Sequence, residues 1–271
     1  MTADLAGLLT DLAAETRSLD DLLVGLTPAG WELPTPAEGW AIRDQVSHLA
    51  YFDQAATLAA TDPDAFRKAS AGLTALGDDF PDRVAADHRR LPAADLLEWW
   101  RDARQHLIDA LRPLDPATRI PWYGPDMSIA SAVTARLMET WAHGQDVVDA
   151  LGLHRAPTVR LRHVAHLGVR TFGFSHQLRG LPVPSQPVRV ALAAPDGGTW
   201  TWGPADAADR VSGPAVDFCL VVTQRRHVAD TDLSVTGPVA RRWMSIAQAF
   251  AGAPGPGRQA GQPLLHGSGA P

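Results

Sequence analysis

Arg136-Leu-Met-Glu139-Thr-Trp-Ala-His143-Gly-Gln-Asp146-Val-Val-Asp149 is the stretch on which the fold turns. Its spacing predicts a helix. Glu139 and His143 are four residues apart and stand on one face, one turn above the other. Arg136 and Asp146 share that stripe. Val133, Leu137, Trp141 and Val148 fall on the opposite face and are expected in a core. As ordinary helix decoration, Glu139 and His143 would make a solvated, hydrogen-bonded pair. The same spacing also suits one divalent metal, since zinc takes nitrogen, oxygen or sulfur donors at about 2 Å and consecutive turns present two of them together. A third donor has to come from another segment. His48, in Trp40-Ala-Ile-Arg43-Asp44-Gln45-Val-Ser-His48-Leu49, is the candidate. Asp44, one turn before it, is expected to hydrogen-bond the imidazole, as carboxylates beside ligating histidines do.

The combination of Gly39-Trp40, Arg43-Asp44-Gln45-Val46-Ser47-His48-Leu49 and Glu139-Thr-Trp-Ala-His143-Gly-Gln-Asp146 resembles the DinB-like superfamily. Within it, the resemblance is to the mycothiol-dependent maleylpyruvate isomerase type. That resemblance implies a four-helix bundle whose divalent metal is held by His48, Glu139 and His143. It covers most of the chain and implies an α+β fold. A DinB-like bundle is expected over 1–152, followed over 153–251 by a small α/β domain resembling sterol carrier proteins. The tail over 252–271 is rich in Gly and Pro and is expected to be mobile.

The chain has 271 residues, 45% of them hydrophobic, which allows one large core or two moderate ones. A net charge of −6 leaves no electrostatic footprint for nucleic acid. Lys68 is the only lysine among 24 basic residues, a composition typical of GC-rich genomes. Cys219 is the only cysteine, so no internal disulfide forms and a reducing cytoplasm is the expected location. It lies in the apolar run Phe218-Cys-Leu-Val-Val222 and is expected to be a buried hydrophobe, not a nucleophile. No basic leader precedes an apolar run at the N-terminus, and no apolar run of membrane-spanning length occurs.

Leu5, Leu8, Leu9, Leu12, Leu19, Leu22 and Leu23 predict a helix over 3–26, closed by Gly25 and Pro28. Trp31 and Trp40 are expected to pack against the bundle. The second helix, over 41–60, carries His48. Periodicity is weak over 61–92, which is expected to be an insertion of loop and short helix. A third helix over 93–111 follows Pro92. The connector 112–126 carries Trp122 and Tyr123, and loops of this kind at a bundle mouth often touch substrate. Asp126 or Ser128 caps the fourth helix, which Gly152 ends. A further helix over 159–174 carries His163 and His166, expected to be hydrogen-bonded because no third donor lies nearby. From Pro187 the pattern turns to β: strands over 188–192 and 199–202 around the turn Asp196-Gly-Gly198, and short strands over 211–213 and 233–237. Helices are expected over 215–223 and 239–250.

Three protein donors leave a metal position open, as catalytic sites do. A thiol placed there would lose its proton, and the thiolate is the nucleophile. The resemblance supplies mycothiol as the cosubstrate. The expected activity is therefore thiol transfer to, or thiol-assisted isomerisation of, a small electrophile. Zinc is the expected metal, with nickel, manganese and iron compatible with the same donors. An anionic or polyhydroxylated thiol calls for guanidinium and imidazole contacts. Arg225 and Arg226 are the candidates for a catalytic role, and Arg136 and His227 for binding the cofactor; surface charge is the plain alternative for Arg225 and Arg226. Two other functions fit the same residues. One is a metal-dependent hydrolase with water in the open position. The other is a non-enzymatic carrier of an apolar ligand.

Overall fold

The computed structural model describes residues 4–75, 77 and 79–262. The weakly periodic segment at Leu76 and Asp78, Met1 to Ala3 and the tail from 263 onward lie outside the described residues. The chain divides into two compact units, with the boundary between His154 and Arg155.

The first unit is helical. Helix α1 (Leu5–Leu23) buries Leu5, Leu9, Leu12, Leu19 and Leu23 on one stripe, and the Asp4 side chain caps it by accepting from Gly7 N–H at 2.9 Å. The short α2 (Pro28–Trp31) starts on a Thr27 cap with Pro28 in its first turn. Helix α3 (Ile42–Thr61) follows. The weakly periodic segment forms two helices, α4 (Pro63–Thr74) and α5 (Phe80–Asp87). Asp62 caps α4 and Phe66 anchors it, stacked on Trp122 with ring centroids 5.8 Å apart. Helix α6 (Ala93–Leu111) leads into a two-strand antiparallel ribbon, β1 (Arg119–Ile120) and β2 (Met127–Ser128), inside the connector. Ser128 caps α7 (Ile129–Ala150).

The four long helices close a ring: α1 packs on α7, α7 on α3, α3 on α6 and α6 on α1. Leu19, Leu23, Val46, Leu49, Leu96, Trp100 and Val147 meet in one core cluster. Each fully buried Leu or Val contributes about 1.5–3 kcal/mol, so this shared core, more than helix propensity, holds the ring.

The second unit is mixed. Helix α8 (Leu161–Arg170) ends at Thr171, and α9 (Phe172–Gln177) follows where one longer helix was expected. A four-stranded sheet has the order β4-β3-β5-β6. Its strands are β3 (Val188–Ala193), β4 (Thr199–Trp202), β5 (Asp209–Pro214) and β6 (Ser234–Thr236). The β3–β4 and β5–β6 pairs are antiparallel, and β3 runs parallel to β5. Helix α10 (Ala215–Val222) packs on α8 and on β3 and β5. The α8–α10 approach needs Gly168, where a Cβ would sit 2.7 Å from Val222 Cγ2. Helix α11 (Pro238–Met244) stops short of the expected Phe250. Beyond it, Gln248 N–H donates to Ser175 Oγ at 3.0 Å and Ala249 N–H to the Val222 carbonyl at 2.8 Å. These long-range bonds take the donors that a longer helix would have used. Among the described residues no helix is long and apolar enough to cross a membrane.

Candidate metal centre

His48 sits in the first half of α3, and Glu139 and His143 sit mid-way along α7. Because α3 and α7 pack together, three residues far apart in sequence converge, with ligand atoms within 4.8 Å of one another. Among the described residues no second group of three such ligands occurs. Glu139 Oε2 lies 3.1 Å from His143 Nε2 and 3.6 Å from His48 Nε2. The two imidazole centroids are 4.4 Å apart. Desolvation lowers the His48 pKa to about 4, the His143 ring beside it adds to that, and Glu139 opposes it. His48 is therefore neutral at pH 7, the form that ligates metals. Burial alone would raise the Glu139 pKa, but the two imidazoles outweigh it and hold the carboxyl well below its usual range.

A chain of hydrogen bonds sets the tautomer of His143. The Thr35 hydroxyl donates to the Trp40 carbonyl at 2.9 Å. Its one proton is thereby committed, so it can only accept from Gln45 Nε2, 2.7 Å away. The Gln45 amide nitrogen thus faces Thr35, and its oxygen faces His143 Nδ1. That oxygen can only accept, so Nδ1 carries the proton. With Nδ1 protonated, His143 Nε2 is the nitrogen that faces the Glu139 carboxylate, able to donate to it when it carries a proton or to ligate a cation when it does not. The 3.1 Å contact is held by a proton on Nε2 or, in its place, by a cation beside the pair. His48 Nδ1 adds a buried nitrogen with no hydrogen-bond partner among the described residues. Two imidazoles and a carboxylate converging on one position fit a divalent metal.

Aromatic rings surround the set. The Trp40 ring centroid is 5.3 Å from that of His48 and 6.0 Å from that of His143, and its indole N–H donates to Asp82 at 2.6 Å. Phe52 meets His48 at 4.5 Å, and Phe80, Trp122 and Tyr123 gather around Phe52. Burial raises the pKa values of Tyr51 and Tyr123, which hydrogen-bond each other.

Other residues singled out by the sequence lie as follows. Asp44 does not take the role expected of it. Its carboxylate accepts from Ala41 N–H at 2.8 Å, capping α3, and from Arg89 Nε at 2.9 Å. The expected cofactor contact Arg136 is buried and turned inward, with Nε donating to Asp53 at 2.9 Å. The second unit holds Arg225, Arg226 and His227 just after α10. Arg225 donates to the Thr223 carbonyl, Arg226 to the Arg225 carbonyl, and His227 Nδ1 accepts from Ala229 N–H. His166 Nδ1 accepts from Trp202 Nε1 at 3.3 Å. Cys219 is fully buried, and burial pushes its thiol pKa up. The sequence gave no role to Gln45, although it lies three residues before His48 on the same helix face; that i,i+3 spacing was the available signal.

The fold and this centre define an α+β protein whose helical ring carries a largely enclosed set of two histidines and a carboxylate. The family model described as "Mycothiol maleylpyruvate isomerase N-terminal domain" matches residues 12–148, which include all three ligand candidates. The chain belongs to this family. A second model, described as "Wyosine base formation", matches residues 184–236, the span of the second unit's sheet. Two curated relatives from Mycobacterium tuberculosis, uncharacterized protein Rv0036c of strain H37Rv and uncharacterized protein MT0041 of strain CDC 1551 / Oshkosh, are each 46% identical over 256 residues. The alignment covers 94% of this chain and 100% of theirs. The chain is also similar to the crystal structure of a mycothiol-dependent maleylpyruvate isomerase, with a TM-score of 0.58 and 16% identity, over 88% of this chain and 94% of that one. A histidine-to-alanine mutant of that isomerase matches with the same TM-score and 17% identity, over 83% and 90%. These structural likenesses are of fold.

Proposed function

We propose that the chain is an enzyme that uses a divalent metal and mycothiol to transfer the thiol to a small electrophile or to isomerise that electrophile. The observation that carries this is the convergence of His48, Glu139 and His143, with ligand atoms within 4.8 Å of one another, in a chain of the maleylpyruvate isomerase family. His48 and His143 would supply neutral nitrogens and Glu139 the negative charge, a donor set suited to zinc that leaves a position open. A cation held there would favour the thiolate form of an incoming thiol. The chain's residues do the rest. Gln45 holds the His143 ring, and Trp40 and Phe52 keep water off the imidazoles, which strengthens charge attraction at the open position. The thiol has to come from outside, because the chain's one cysteine is buried and its pKa is raised. A single free cysteine and no disulfide favour a reducing cytoplasm as the location.

The test is elemental analysis combined with turnover of small electrophiles, with and without mycothiol. The expected result is about one metal per chain, given one three-ligand set. Turnover should need both metal and mycothiol. Metal content unchanged in H48A and H143A, or turnover independent of mycothiol, would overturn the proposal.

A further inference from the structure

We infer that Gln45 is a positioning residue that locks His143 in the Nδ1–H tautomer and keeps its Nε2 lone pair directed at the metal position. Gln45 is fully buried on α3, and His143 is buried on α7. The amide is held at both ends. Its nitrogen donates to Thr35 Oγ1 at 2.7 Å, and its oxygen accepts from His143 Nδ1. Thr35 in turn donates to the carbonyl of Trp40, and the Trp40 ring lies beside both imidazoles. Turning the amide over would place two acceptors, the Gln45 oxygen and Thr35 Oγ1, face to face, and would keep the bond to His143 only if that ring changed tautomer.

The physical consequence is on ring orientation and basicity. A hydrogen-bonded N–H on one side of an imidazole fixes the plane of the ring and makes the other nitrogen a better donor to a cation. The Gln45 oxygen is neutral, so it orients the ring without adding a second negative charge beside Glu139. The same chain ties the segment bearing Thr35 and Trp40 to the ligand, so the cover over the site and the ligand are set by one network.

This inference rests on the proposed metal site, and the test separates the two. The affinity of the full chain for zinc is measured by competition with a chelator, and the visible absorption of the cobalt(II)-loaded protein is recorded. Q45L keeps the volume and removes the acceptor. It should lose affinity by about 10–100-fold, the usual effect of removing a group that orients a metal-bound histidine, and its cobalt spectrum should shift. Q45E keeps an acceptor at Nδ1 and should recover the affinity. T35V frees the amide without touching His143 and should show a smaller loss than Q45L. If Q45L fails to fold, T35V and Q45E decide. A wild-type protein that takes up no metal overturns the site and this inference together. A metal-binding wild type whose Q45L or T35V variant keeps wild-type affinity and spectrum overturns the role of Gln45 alone.

Discussion

Two polar clusters are buried in the same helical ring, about one turn apart along α3 and α7, and they differ in one respect. Around Asp53, every carboxylate oxygen meets an N–H. Arg104 donates through Nε at 2.8 Å and Nη2 at 3.2 Å, and Arg136 through Nε at 2.9 Å. Arg104 also reaches Thr16 on α1 and Thr140 on α7, so this cluster pins four helices together. Around Glu139, the neighbours are two imidazole nitrogens at 3.1 and 3.6 Å with no guanidinium on the carboxylate, and His48 Nδ1 has no partner among the described residues. The satisfied cluster reads as scaffold and the other as the proposed metal site, since a buried polar atom without a partner costs about 1–3 kcal/mol.

The largest expected effect tests the scaffold half of that contrast. D53A removes the shared anion and leaves two guanidiniums buried near each other. Unfolding by urea, with a chelator present, should show a loss of about 3–5 kcal/mol. A loss below about 1 kcal/mol would erase the distinction between the clusters. E139Q tests the other half. It keeps the shape and removes the charge that offsets the metal, so zinc affinity should fall by more than about 100-fold, beyond the effect of changing a group behind a ligand. The metal-free protein should lose some stability at neutral pH, because the imidazoles outweigh burial and favour the charged carboxylate that Gln lacks. E139Q with normal metal content would remove Glu139 from the ligand set. The smallest expected effect is at Cys219, a buried group belonging to neither cluster. The folded protein should not react with a thiol reagent over a time in which the guanidine-unfolded chain reacts fully, since the thiolate is the reactive form and burial disfavours it. Rapid labelling of the native state would show that this thiol is reachable after all.

Much of this was legible in the chain. Glu139 and His143 announce themselves by their spacing, and His48 by the motif around it. The strands after Pro187 and the apolar helix that contains Cys219 follow from alternation and from runs of apolar residues. The helices over 61–92 were less legible, because their order rests on one anchor each, such as Phe66 on Trp122, more than on a repeating stripe. Arg136 was misjudged for a related reason. It shares a stripe with Glu139, but whether that stripe meets solvent, a ligand or Asp53 depends on the helix packed against it.

Local periodicity therefore determined which residues share a face, since a helix presents i and i+4 together whatever surrounds it. Sequence alone thus determined the α+β order, the pairing of Glu139 with His143 and the burial of Cys219. Only the tertiary structure decided the partners across helices: Gln45 on His143, Asp53 between Arg104 and Arg136, and Asp44 on Arg89 instead of His48. Each is a hydrogen bond between residues dozens of positions apart, set by the rotation and stagger of packed helices. No local pattern encodes those quantities, which the packing of the whole core settles.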